Sequence, residues 1–241
     1  MVETERVSQE NYDCCHIEFF TPPYQPLSNF LRDDKKVKKV LKSDILTKVE
    51  AYVRALFKEQ QSHKLIFHNL GHTEMVVNAC DEISQGMQLN KNDREVLLIT
   101  AWFHDTGYLY TYAGHEERSK EIAYKFLSAN NYPQSKINRV LNCISVTQLD
   151  AEPHDLLEKV ICDADLYHLS CRNYFQLSKK LRKEWELIFE TKVSDDQWHR
   201  QNLNFLHQHN YCTAYARNHL EKGKQMNIKK NIKALEGLRH A

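Results

Sequence analysis

The sequence predicts an all-α fold, a single helical bundle with additional helices at its C-terminal end. Three observations lead there. Glycine and proline are scarce, with 6 and 5 in 241 residues, and a β-rich chain would need more of both in its turns. Apolar residues recur three and four apart along most of the chain, which is the repeat of one helix face. Helix-start signals precede several of these runs, most plainly Ser194 with Gln197 three residues on, the pattern of a capping box.

Composition narrows the class. Hydrophobic residues make up 41% and charged residues 27%, the balance of an ordinary soluble globular chain. A formal net charge of +1 provides no global field for nucleic acid or an anionic membrane. The longest apolar run, Val96 to Phe103, is far short of the ~20 residues that span a bilayer. The seven cysteines are scattered, odd in number and without a C-x-x-C pair, which argues against a disulfide framework or a zinc-thiolate site. With no signal-peptide layout at the N-terminus, the expected setting is reducing and cytoplasmic. The sequence carries no signal for the oligomeric state. Thirteen histidines make a metal site worth searching for.

Taken in order, residues 1–34 read as an extended arm. TPPYQP, Thr21 to Pro26, holds three of the five prolines and cannot be helical. Phe19, Phe20, Tyr24 and Phe30 could pack this arm, and its first dozen residues could equally be disordered. Residues 35–241 read as one helical domain, because no internal repeat, low-complexity tract or linker interrupts them. Val37, Val40, Leu41, Ile45, Val49, Tyr52, Val53, Leu56 and Phe57 give its first helix, with a solvated strip of lysines opposite. In Leu65 to Ile83, His68 and His72 are four apart. On a helix they would share a face and present two imidazoles to one place. Gly71 between them weakens that helix and leaves capping or solvent contact as the plainer role. Thr73 to Gly86 reads as helix, and Asn92 or Asp93 suits the cap of the next one.

That next helix carries EVLLITAWF and ends in WFHDTGY, Trp102 to Tyr108. Adjacent helical residues point about 100° apart, yet His104 and Asp105 could both reach one ion where the helix stops at Thr106-Gly107. The plainer reading makes Asp105 a loop cap and His104 a core histidine. His115 and Glu116 open another helix, whose apolar side is Ile122, Ala123, Phe126 and Leu127. Tyr132-Pro133 closes it, and Ile137, Val140, Leu141, Ile144 and Val146 give one more. Leu156 to Leu169 is apolar around most of its circumference, yet holds Asp163 and Asp165. Buried carboxylates are rare unless paired, protonated or bound to metal. Behind the capping box come Trp198, Leu203, Phe205 and Leu206, and the last helix shows a stripe of Met226, Ile228, Ile232 and Leu235.

In chain order these pieces are a helical His, a His-Asp doublet, a further His and a buried Asp. That arrangement resembles the HD-domain superfamily of metal-dependent phosphohydrolases over roughly residues 37–170. FHNLGHTEMVV looks like the family's first helix, WFHDTGY its doublet and CDADLYHL its final helix, leaving 171–241 as a C-terminal helical extension. The resemblance implies an HD-domain-like bundle with His72, His104, Asp105 and Asp165 as metal ligands, and not Asp163. Its cofactor would be a divalent ion, with Mn, Mg, Fe, Zn, Ni and Co not distinguished. Members with two ions carry further histidines where this chain has Cys143, Ser145, Thr147 and Gln148, so one ion is expected. The implied activity is hydrolysis of a phosphate ester or anhydride, in a nucleotide or cyclic nucleotide, by attack of a metal-bound water. Asp105, His115 and His68 would be catalytic, and Arg118 and Lys120 would hold phosphate oxygens. Two alternatives stand beside it. One is a di-iron oxygenase of similar architecture, with His68 or His115 as a further ligand. The other is a non-catalytic module that binds a nucleotide or a protein.

Overall fold

The computed structural model describes residues 43–149 and 151–239. The arm at 1–34, and the helical reading of Val37, Val40 and Leu41, lie outside them. The described residues form ten α-helices and no strand. They are α1 (Asp44–Gln60), α2 (Leu70–Gly86), α3 (Lys91–Phe103), α4 (His115–Ala129), α5 (Gln134–Ser145), α6 (Leu156–Asp165), α7 (Tyr174–Ile188), α8 (Asp195–Gln208), α9 (Ala214–His219) and α10 (Glu221–Arg239). Two 3-10 turns, Thr106–Leu109 and Leu166–Ser170, follow α3 and α6. No helix among the described residues is long and apolar enough to cross a membrane.

Helix α3 is the centre. Every residue from Val96 to Phe103 is buried, and α1, α2, α4, α5 and α6 all pack on it. A helix apolar on all sides has nowhere else to sit. Its cap is Asn90, not Asn92 or Asp93, because the Asn90 side chain accepts the Asp93 N–H at 3.0 Å. Ser43 is extended and accepts the Leu46 N–H. Helix α1 therefore starts at Asp44.

Asn69 imposes a larger correction. Its side chain accepts the N–H groups of Gly71 and His72 at 2.8 and 3.3 Å, so α2 starts at Leu70. His68 lies ahead of the cap and shares no helix face with His72.

Helices α7 to α10 build a second, smaller core around Leu169, Tyr174, Leu206 and Ile228. The capping box at Ser194 and Gln197 is formed. On α10 the buried face is Lys224, Asn227, Ile228, Asn231 and Leu235, while Met226 and Ile232 are exposed. The expected apolar stripe is thus half displaced, and hydrogen bonds account for it. Asn227 donates to the carbonyls of Leu169 and Cys171 at 2.8 and 2.9 Å, and Lys224 donates to that of His209 at 2.6 Å. Satisfied in this way, polar side chains can be buried. They tie α10 to the turn after α6.

Candidate metal centre

Four side chains meet where the ends of α3 and α6 face the first turn of α2. His104, at the end of α3, keeps helical backbone angles, and Asp105 leaves the helix at φ −105°, ψ 5°. This turn lets the neighbours converge despite their helical offset. His72 lies in the first turn of α2, and Asp165 is the last residue of α6. His72 Nε2 is 3.0 Å from Asp165 Oδ1 and 3.3 Å from Asp105 Oδ2. His104 Nε2 is 3.2 Å from Asp105 Oδ2 and 3.5 Å from Asp165 Oδ1.

These spacings fit a shared ion. Donors held at about 2.1 Å from one ion, at octahedral or tetrahedral angles, stand roughly 3.0–3.4 Å apart. The donor atoms of His72, His104 and Asp165 all lie within 4.8 Å of one another. His104 Nε2 and Asp105 Oδ2 are buried with no hydrogen-bond partner, a costly state for polar atoms unless a ligand completes them. The plainer reading of Asp105 fails on geometry, since its side chain makes no capping hydrogen bond to the turn it precedes. His104 Nδ1 donates to the Ala101 carbonyl at 2.8 Å, which leaves the Nε2 lone pair directed at the cluster.

Charge is balanced within the group. Burial pushes the His72 imidazole down, but the facing carboxylates of Asp105 and Asp165 outweigh it and hold the group up to about 9. His104 is raised in the same way, chiefly by Asp105 against the same burial. Burial alone would raise the two carboxylates, yet the facing imidazoles hold both well below the usual range. The protein without metal therefore stores protons on the histidines that an ion would displace.

The other expected residues divide. His115 opens α4, with Nε2 3.8 Å from Asp105 Oδ1. Gly107 brings it there: a Cβ at that position would stand 1.9 Å from the His115 carbonyl oxygen. Gly114, at φ +71°, turns the chain into α4. His68 reaches the site from the loop, its ring 5.7 Å from that of His72. His68 and His115 stack on Tyr108 at 4.1 and 3.6 Å between centroids. Arg118 and Lys120 do not join the cluster. Arg118 pairs with Glu121 at 2.6 Å and lies over the Tyr110 ring, and Lys120 is engaged by Glu117 and Ser145. Asp163, two residues before Asp165 and turned to another side of α6, accepts the N–H groups of Cys212 and Thr213 at 2.7 Å each. It anchors the approach to α9.

Sequence reasoning missed Glu184 of α7. This carboxylate is fully buried and holds the loop ahead of α2. Its Oε2 accepts the N–H groups of Phe67 and His68 at 2.8 and 3.0 Å. Its Oε1 accepts the Tyr112 hydroxyl at 3.1 Å and pairs with His68 Nδ1. His68 holds Glu184 ionised against its burial. One signal existed: Leu177, Leu181, Glu184 and Ile188 recur as an inward stripe, with a carboxylate in an apolar place. His168, buried in the turn after α6, packs its ring 5.3 Å from that of Phe67 and was also unforeseen. Burial lowers it to about 4, so it stays neutral.

Residues 69–170 match the model of the family described as HD domain. That stretch of the chain is an HD domain. No curated protein and no solved structure matches the chain. HD domains bind divalent metals and are mostly hydrolases. The matched HD domain begins at the Asn69 cap and ends at Ser170, so it contains His72, His104, Asp105 and Asp165. His68 and Glu184 lie outside it.

Proposed function

We propose that this HD-domain protein is a metal-dependent phosphohydrolase that cleaves a phosphate ester or anhydride, with a nucleotide or cyclic nucleotide as its substrate class. The observation that most supports this is the convergence of His72, His104, Asp105 and Asp165, with His104 Nε2 and Asp105 Oδ2 buried at its centre without a hydrogen-bond partner. A single divalent ion held by these four groups would supply a Lewis acid for a phosphoryl oxygen and a water of lowered pKa. The remaining work falls to the chain. Asp105 directs one oxygen at the cluster and the other toward His115, so it both closes the site and orients a nucleophile. His115 is lowered by burial and is neutral at pH 7, fit to accept or share a proton. His68 gives its Nδ1 edge to Glu184. A carboxylate in that place fixes the ring and its tautomer. We assign His68 the role of proton donor to the leaving oxygen. Tyr108, sandwiched between the two imidazoles, keeps them apart and in register.

The oxygenase alternative needs a further histidine ligand. His68, whose Nδ1 is taken by Glu184 but whose Nε2 is not, and His115 are the two histidines that could supply it. A reducing, cytoplasmic setting remains our expectation, in keeping with the free thiols of Cys80, Cys143, Cys162, Cys171 and Cys212. The test is metal analysis of the purified protein followed by a screen of phosphorylated metabolites that includes cyclic nucleotides. A metal content near one per chain with phosphate release is expected. Metal-replete protein that releases no phosphate from any member of the screen would overturn the reading.

A further inference from the structure

A cleft of about 240 Å³ opens beside the metal centre, between the start of α2 and helix α7. His72 lines it together with Phe67, Met75 and Leu177, the amides of Asn69 and Asn173, and Lys180. Three features give it the character of a binding site. His72 is 6% exposed, and its Nδ1 has no hydrogen-bond partner, while its Nε2 edge faces Asp105 and Asp165. A neutral imidazole that binds an ion through Nε2 carries its proton on Nδ1. The cleft is thus walled by a buried N–H that needs an acceptor. Lys180 is exposed and makes no ion pair or hydrogen bond among the described residues, so its charge is free for a ligand. Finally, Asn173, Leu177, Lys180 and Glu184 are spaced four, three and four apart on α7 and therefore share one face. Glu184 is clamped to the backbone of Phe67 and His68. The clamp fixes Lys180 one turn away, over the cleft.

We propose that this cleft receives the part of the substrate that is not cleaved, and that this part carries a second oxyanion held by Lys180 and the His72 Nδ1–H. The word substrate rests on the hydrolase reading above; the anion site rests on the cleft alone. The wall suits such a ligand. Phe67, Met75 and Leu177 would cover the organic portion, and the Asn173 amide can both donate and accept, whereas that of Asn69 is spent on the α2 cap and the Ile66 carbonyl. Arg182, another cation of α7, is already committed to Glu186 and Asp195, and Lys179 and Lys183 are not among the residues that line the cleft. Lys180 is then the group that distinguishes a bisphosphorylated ligand from a monophosphorylated one.

The test uses the full-length, metal-loaded protein and two ligand pairs that differ by one phosphate. Adenosine 3′,5′-bisphosphate is compared with AMP, and fructose 1,6-bisphosphate with fructose 6-phosphate. Binding is measured by calorimetry and phosphate release is followed separately. The second phosphate should tighten binding about tenfold or more in one pair, which also tells a nucleotide from a sugar source. Lys180→Ala should abolish most of that preference, Lys180→Arg should retain it, and Lys179→Ala, off this face, should leave it as in the wild type. On any bisphosphate that is hydrolysed, Lys180→Ala should raise KM more than it lowers kcat. Absence of a preference in both pairs, or a preference that survives Lys180→Ala, overturns the proposal whether or not the protein hydrolyses anything. A Lys180-dependent preference without phosphate release would instead sustain the anion site and end the hydrolase reading.

Discussion

Replacing Glu184 by alanine should cost stability without costing metal. The carboxylate is fully buried, and four donors converge on it: the N–H groups of Phe67 and His68, the Tyr112 hydroxyl and His68 Nδ1. Each buried donor left without a partner costs about 1–3 kcal/mol. Tyr112 and His68 are partly open to water, so the two backbone N–H groups dominate, and about 3–5 kcal/mol is expected. In a domain of this size that corresponds to a fall of about 6–20 °C in Tm. None of His72, His104, Asp105 or Asp165 touches Glu184, so bound metal should stay at the wild-type level. Glu184→Gln separates fold from chemistry. Its oxygen can still accept the two backbone N–H groups, but its amide meets His68 Nδ1 with a donor. His68 must then turn an acceptor nitrogen to that amide, which puts its ring proton on Nε2. Turnover should fall by about a hundredfold, within the range of one acid–base group, with the melting temperature largely kept. The pH dependence has a definite sign. Glu184 is held below its ordinary pKa, so its contribution is present above about pH 4.3 and fades as pH falls further. The gap between wild type and Glu184→Ala should close in acid. Thermal melts, metal analysis and turnover on the same preparations decide the matter. A Glu184→Ala variant that melts within a degree or two of wild type would refute the burial argument. A Glu184→Gln variant with full turnover would remove His68 from proton transfer.

Asp105→Ala should lose metal affinity and lower turnover about a hundredfold or more, with the fold intact because Asp105 caps nothing; full metal occupancy and wild-type turnover would end the ligand assignment. Gly107→Ala places a Cβ 1.9 Å from the His115 carbonyl, so the start of α4 must move, at a cost of about 1–3 kcal/mol, and a melting temperature equal to wild type would contradict the close approach. Metal binding should release protons at neutral pH, because His72 is held up to about 9 and His104 is raised as well. Affinity should therefore rise with pH until His72 is neutral without help from the metal, near pH 9. Calorimetry in buffers of different ionisation enthalpy measures the proton count, and a count of zero at pH 7 would show the histidines to be neutral beforehand.

The sequence revealed the bundle and the cluster because both write themselves in local patterns. Val96 to Phe103 is apolar at every position but Thr100, which sends α3 to the centre, and the His-Asp pair at its end gains meaning from the His72 and Asp165 segments on either side of it. Asp165 was legible for a similar reason, as a carboxylate in an apolar helix. What stayed hidden depends on contacts between distant segments. Asp163 sits in the same apolar turn as Asp165, yet it is spent on the backbone of Cys212 and Thr213, and no periodicity distinguishes the two uses. His68 and His72 look like a helical pair until Asn69 takes the cap, a choice between two polar residues that composition does not decide. Glu184 joins the site across 116 residues to His68, from a helix that resembles any amphipathic surface helix. That separation carries a consequence for the chemistry. The matched HD domain, 69–170, supplies the groups that can bind an ion, whereas the residue that holds His68 and the cation that faces the cleft both come from α7. A chain with the same cluster and a different α7 would keep its metal, lose this proton donor's support and accept other ligands. On the proposed reading, specificity is a property of the helix that has no motif.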